Sequence, residues 1–305
     1  MTSAVVFAYH NVGVRCLQVL LAQGVDVELV VTHEDNPNET IWFGSVARLA
    51  RERGIPCIAP PDPNAPDIVA RIASIEPDFL FSFYYRLMLK APLLSLPRRG
   101  ALNMHGSLLP KYRGRVPINW AIIHGERETG ATLHYMTEKP DNGDIVAQVP
   151  VAIGPDETAS EVFDKVTGAA AAALEGVLPA LIVGTAPRVP QDLSRGAYFG
   201  GRKPEDGRID WSQPARRIHD LVRAVAPPYP GAFTDIPFGR LVIERTRVLD
   251  ADSRHDPSLR AEGDRLLADC GQGTLEVLAC RLDGAPFDAA ALRERCGGAL
   301  SLVRK

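Results

Sequence analysis

Cysteine is scarce and unpaired here: Cys16, Cys57, Cys270, Cys280 and Cys296 are scattered over 305 residues with no Cys-x-x-Cys spacing. An odd, dispersed set argues against a disulfide framework and a zinc site, so reduced thiols of a cytoplasmic protein and no bound metal are expected. Long apolar runs are missing too. No stretch of about 18 apolar residues occurs, so no membrane span is expected, and the alanine-rich Thr167–Ala173 segment reads as buried helix. The first residues lack a basic stretch followed by an apolar one, so no signal peptide is expected. No charge of one sign dominates: the net charge of −3 points to neither a nucleic-acid nor a membrane surface. Finally, the loop after the first strand-like run, Tyr9-His-Asn-Val-Gly13, has one glycine where a dinucleotide fingerprint needs three, which counts against NAD or a flavin.

What is present is an alternation of short apolar runs and helical periodicity. Ala4–Ala8, Val27–Thr32, Asp78–Phe83 and Ala101–His105 read as buried strands. Val14–Gln23, Trp42–Arg53 and Pro66–Ser74 read as helices, the second closed by Gly54. Continuous apolar strands separated by helices predict an α/β domain with a doubly wound, Rossmann-like parallel sheet. Thr132–Thr137 and Asp144–Ile153 add two strands, and a long helix, capped by Thr158 or Ser160, runs to about Ile182. The Pro- and Gly-rich stretch after it reads as a connection. Beyond a helix over Pro214–Val225, short strands separated by turn residues suggest a smaller β-rich domain, an open, OB-like barrel. The expected organisation is a catalytic domain over residues 1–190, a linker over 191–206 and a β-rich domain over 207–305.

Chemistry concentrates in Asn103-Met-His105-Gly-Ser107-Leu-Leu-Pro110. Asn103 and His105 alternate on one strand, so both side chains point to one face. An amide can donate to a developing oxyanion, and an imidazole can give or take a proton near neutral pH. They stand at the carboxyl end of a strand, where ligands of such sheets bind. Asp141, in the turn Pro140-Asp-Asn-Gly143, could orient His105 or simply bond its own backbone. Lys111, Arg113 and Arg115 are either a solvated rim or an anion-binding loop. Tyr84, Tyr85 and Arg86 could line a flat ligand or pack the strand end, and His33 could line the site. His10, His124, His134, His219 and His255 have no comparable setting.

These motifs resemble the 10-formyltetrahydrofolate-dependent formyltransferases. The resemblance rests on Asn103-x-His105-x-Ser107-Leu-Leu-Pro110 with the later Asp141. It extends through Val5–His10, Phe43–Ala50, Phe81–Arg86, Asn119-Trp120, Gly125–Gly130, Asp144–Gln148, Arg223–Ala226 and Pro230–Phe233, and fades over about the last 70 residues. It implies that Asn103 stabilises the transition state, that His105 donates a proton, and that Asp141 keeps the imidazole charged. The folate co-substrate would lie along Leu87, Met88 and Leu89, Arg115, and the loop Thr137-Glu138-Lys139-Pro140-Asp141, largely through backbone contacts. Tyr9 and Arg202 are the candidates for the other substrate, Arg202 for its diphosphate.

Within the family the resemblance is closest to enzymes that formylate UDP-4-amino-4-deoxy-L-arabinose for lipid A modification and polymyxin resistance. Those continue into an NAD-dependent decarboxylase, whereas this sequence stops at Lys305, so a separate chain would supply that oxidation. The rival acceptors are another nucleotide-linked amino sugar or methionyl-tRNA. From Pro204 to Lys305 there are 15 Lys+Arg and 16 Asp+Glu, a net of −1, which speaks against tRNA.

Overall fold

The structure, a computed structural model, describes residues 1–37, 41–250 and 256–303; His255 lies outside them. Two compact units divide the chain. The first comprises residues 1–117, 128–152 and 164–200, the second residues 118–127, 153–163 and 201–305. Two segments from the first 190 residues thus belong to the second unit, and residues 191–200, read above as connection, belong to the first.

Up to residue 200 the elements are β1 (Ser3–Ala8), α1 (His10–Ala22), β2 (Asp26–Val31), α2 (Val46–Glu52), β3 (Cys57–Ile58), α3 (Pro66–Ile75), β4 (Phe79–Phe83), α4 (Ala91–Leu94), β5 (Gly100–His105), β6 (Arg113–Gly114), α5 (Pro117–Ile123), β7 (Glu128–Tyr135), β8 (Ile145–Ala152), α6 (Ala159–Val183) and β9 (Tyr198–Phe199). Seven of the strands form one sheet in the order β3-β2-β1-β4-β5-β7-β8. The first five are parallel, as their continuous apolar sequences predict. The last two run antiparallel, so the sheet is mostly rather than wholly parallel. Strand order reverses between β1 and β4, which opens the crevice where such sheets take ligands. One face of the sheet buries Val5, Phe7, Leu29, Val31, Leu80 and Ala101 with Ile72, Leu89 and Leu93 from the adjoining helices and loop.

Helix α2 begins later than its periodicity suggests, because the Ser45 hydroxyl accepts from Arg48 N and sets the start there. Helix α6 spans 25 residues and is long and apolar enough to cross a bilayer by composition alone. Its Val162, Val166, Leu174 and Leu178 are fully buried in the protein, which makes it a core helix.

The second unit contains α7 (Ala215–Val225), β10 (Ala232–Ile236), β11 (Gly239–Asp250), β12 (Ser258–Glu262), β13 (Arg265–Asp269), β14 (Thr274–Leu282), β15 (Ala285–Pro286), α8 (Ala289–Cys296) and β16 (Ala299–Ser301). Its sheet is antiparallel, in the order β10-β11-β14-β13-β12-β16, with β15 on β14. Irregularities in β11 near Ile243–Thr246 bend this sheet into an open half-barrel. His219 of α7 ties the unit together, with Nδ1 2.9 Å from Thr246 Oγ1 and Nε2 3.0 Å from the carbonyl of Pro155. Helix α8, which the periodicity did not reveal, is capped by Asp288 and closed by the left-handed Gly297.

Candidate active site

Strands β5 and β7 build the centre. In their antiparallel register Asn103 lies opposite His134 and His105 opposite Thr132, so four polar side chains share one patch of the sheet. His105 is 5% exposed and His134 1%. The Nε2 of His105 donates to the carbonyl of Tyr112, 2.8 Å away. Its Nδ1 stands 3.5 Å from Oδ1 of Asp141. Two acceptors, one of them an anion, thus face the two ring nitrogens.

Asp141 is reached by a second ring as well. Nε2 of His134 is 3.5 Å from the same Oδ1 and 3.2 Å from the Asn103 amide nitrogen, while its Nδ1 donates to the Tyr135 carbonyl at 2.8 Å. The other carboxylate oxygen, Oδ2, accepts from the backbone N–H of Gly114 at 2.7 Å. Burial by itself would push this carboxyl up. The charge of His105, the His134 ring at the same oxygen, and the Gly114 N–H outweigh it and hold Asp141 well below the usual carboxylate range.

Local backbone conformation explains why these groups meet. Tyr112 (φ 55) and Asp141 (φ 56) both occupy the left-handed region, which is uncommon for non-glycine residues and marks over-determined positions. That conformation belongs to the residue whose carbonyl meets His105 and to the residue whose carboxylate does. Gly114, at φ 99, has no room for a Cβ, which would come within 2.2 Å of the Phe199 carbonyl.

The Ser-Leu-Leu-Pro segment is a clasped turn. Ser107 Oγ donates to the Lys111 carbonyl at 2.6 Å. Buried Thr132 donates to the Ser107 carbonyl at 2.6 Å and accepts from Leu109 N at 3.2 Å. Gln148 adds bonds to Leu109 O and to Thr132 Oγ1, both at 2.9 Å. The Asp141 loop is braced in the same way. Gln191 Nε2 donates to the carbonyls of Asp141 (2.9 Å) and Gly143 (2.6 Å). The Arg113 guanidinium donates to Asn142 Oδ1, Leu193 O and Gly196 O. Arg113 is therefore neither a solvated rim charge nor an anion ligand; it is an internal brace.

His105 and His134 thus meet at the Asp141 carboxylate, and Asn103 is linked to it through His134. Leu87 and Met88 are 41% and 50% exposed, whereas the Leu89 side chain is buried in the core at 2%, so only its backbone can face a ligand. Arg115 and Thr137 to Lys139 are exposed, with Pro140 half-buried beside Asp141. Tyr9 donates its hydroxyl to Asp35 at 2.7 Å and lines a separate cavity of about 510 Å³ with Thr32, His33, Arg51 and Cys57, which none of the four polar residues at the centre touches. Arg202, in the second unit, lies 4.8 Å over the Trp120 ring and donates to the Asp206 carbonyl at 2.7 Å. Among the described residues no group of three or more His, Cys, Asp or Glu is arranged to hold a metal ion.

The residue missed above is His134. Its signal was the alternation Thr132-x-His134 ahead of Asp141. A strand read from sequence does not announce which partner it lies beside, or in which direction.

A family model described as "Formyl transferase" matches residues 12–178. The chain belongs to that family. A second model, "Formyl transferase, C-terminal domain", matches residues 202–294. This formyltransferase is similar to an N-formyltransferase from Helicobacter canadensis, solved with folinic acid and dTDP-3-aminofucose. The two share 18% identity over 91% of this chain and 99% of that one, with a TM-score of 0.72. A 4-N formyltransferase from Francisella tularensis shows 22% identity over 77% of this chain and 93% of that one, with a TM-score of 0.63. HypX from Aquifex aeolicus, solved with tetrahydrofolic acid, matches 95% of this chain but only 46% of its own length, at 18% identity and a TM-score of 0.61. At these identities the likeness extends to the fold.

Proposed function

We propose that this enzyme transfers the formyl group of 10-formyltetrahydrofolate to the amine of a nucleotide-linked amino sugar, with UDP-4-amino-4-deoxy-L-arabinose the acceptor that the sequence resemblance favours. The observation that carries the reading is the meeting of His105 and His134 at Asp141, with Asn103 joined to the group through His134, at the end of β5. Support for the acceptor class comes from the sugar N-formyltransferases that share the fold and from the absence of a basic excess in the second unit. All five cysteines are free thiols, which suits a cytoplasmic enzyme.

In this mechanism the acceptor amine attacks the formyl carbon, and the carbonyl oxygen becomes an oxyanion. The Asn103 amide N–H and the charged His105 donate to it. Loss of one such donor costs about 100- to 1000-fold in rate. As the intermediate collapses, the C–N bond to the folate breaks. The Nε2 proton of His105, which rests on the Tyr112 carbonyl in this structure, passes to the departing folate nitrogen. General acid catalysis of that kind contributes about 100- to 10,000-fold. The amine proton returns to the ring, and Asp141 stabilises the imidazolium at both ends of the cycle.

The decisive experiment is a formyl-transfer assay with 10-formyltetrahydrofolate as donor. It compares UDP-4-amino-4-deoxy-L-arabinose, dTDP-linked amino sugars and charged initiator tRNA. Turnover with tRNA alone would overturn the acceptor class. A His105→Ala variant with near-wild-type turnover would overturn the mechanism.

A further inference from the structure

Residues 86–90 leave β4 as a short, largely exposed segment, and two side chains from distant loops hold it. At one end His33, from the loop after β2, accepts the Arg86 backbone N–H at Nε2, 3.0 Å away. The His33 ring stacks on Tyr85 at 4.1 Å with 15° between the planes. At the other end Asn64, from the turn after β3, spans the segment. Its Nδ2 donates to the Met88 carbonyl at 3.0 Å and its Oδ1 accepts the Lys90 N–H at 2.8 Å. The amide is itself held: Asp62 Oδ1 accepts both the Asn64 backbone N–H (2.9 Å) and the Asn64 Nδ2 (3.1 Å). That pattern defines which end of the Asn64 amide is nitrogen and which is oxygen. Between these ties Leu89 plugs into the core. The path of the backbone over 86–90 is therefore specified at three points, none of which is a residue of the catalytic centre.

We propose that Asn64 and His33 are positioning residues for the formyl donor, holding the backbone of residues 86–90 in the course against which the folate ring lies. This inference rests on the folate reading of the site given above. The physical ground is that a flat heterocycle recognised by main-chain N–H and C=O groups tolerates little misplacement of those groups. Such a site needs a supporting layer that locks the backbone. At the three middle positions, read above as folate-lining, the side chains are apolar (Leu87, Met88) or turned away (Leu89), so precision there comes from the ties behind the segment.

The test uses the full-length protein with Asn64→Ala and His33→Ala. Binding of 5-formyltetrahydrofolate is measured by titration calorimetry, and steady-state kinetics are recorded with each substrate varied in turn. Asn64→Ala removes two hydrogen bonds and is expected to weaken folate binding by about tenfold. The KM for the donor should rise by a similar factor, while kcat at saturating donor and the KM for the acceptor stay within about twofold. His33→Ala should move the same constants in the same direction. Unchanged folate affinity in both variants would overturn the inference, as would a loss confined to kcat. A wild-type protein that binds no folate would overturn the donor reading itself, and this inference with it.

Discussion

The amide nitrogen of Asn103 lies 3.2 Å from Nε2 of His134, its cross-strand partner in the sheet. Because Nδ1 of that ring donates to the Tyr135 carbonyl, a neutral His134 has only a lone pair at Nε2, and the Asn103 N–H donates into it. The orientation of the Asn103 amide is thereby set by the ring beside it.

Truncation of His134 should therefore release Asn103 without touching substrate. We expect His134→Ala to lower kcat by about 10- to 100-fold, the worth of a hydrogen bond to a charged or catalytic group. The KM for the donor should change much less. A double-mutant cycle of His134→Ala with Asn103→Ala measures the coupling. Full additivity in kcat would mean that the two residues act separately.

Gly114 should be intolerant of even one carbon. A Cβ there would meet the Phe199 carbonyl at 2.2 Å and the Tyr198 ring at 2.8 Å, on a backbone at φ 99. Gly114→Ala is expected to cost about 1–3 kcal/mol of stability, read as a lower Tm. It should also lower activity through the displaced N–H that supports Asp141. An unchanged Tm would show that the β6–β9 pair is looser than its geometry implies.

Thr132→Val is a near-isosteric test of the clasped turn. It leaves the Ser107 carbonyl and the Leu109 N–H without the buried hydroxyl that serves both. The expected loss is about 1–3 kcal/mol in chemical denaturation. Because the turn leads straight to Tyr112, whose carbonyl holds His105, kcat should fall as well.

The pH dependence of stability should carry two separable acid limbs. Burial, helped by the nearby charge of Arg86, pulls His33 down to about 4 from a usual 6.5. Between those values the unfolded chain binds a proton that the folded chain sheds. Its contribution is therefore complete above about pH 6.5 and drains away as the pH falls toward 4. Asp141 is depressed below its usual 3.8, so its contribution is complete above that value and is lost only as the pH falls further. Denaturation curves across about pH 1.5–7 should lose the upper limb in His33→Ala and the lower one in Asp141→Asn; a His33→Ala curve that still falls between pH 6.5 and 4 would assign that limb to another group.

Much of this was open to inspection in the linear chain. Apolar runs located β1, β2, β4 and β5 because parallel strands are buried on both faces, and the alternation of Asn103 and His105 placed them together because a strand has a period of two. For Asp141 the residues alone left two readings, a partner of His105 or a turn residue bonded to its own backbone, since its meeting with His105 depends on a left-handed backbone that no local pattern specifies. His134 looked ordinary because its importance comes from an antiparallel register across two strands. Arg113 read as a rim charge or an anion ligand for the same kind of reason. Its acceptors, Leu193 and Gly196, are some 80 residues away in the chain.

The sequence by itself determined the α/β class, the β-rich second unit and the strand end at which an amide and an imidazole stand side by side, because each follows from local periodicity and composition. Only the tertiary structure decided that a buried carboxylate serves two histidines and that a tyrosine carbonyl holds the proton of one. It also decided that Asn64 and His33 grip the segment beside them. Those contacts join residues 7 to 53 positions apart, and only the packing of strands and loops brings such groups within bonding distance.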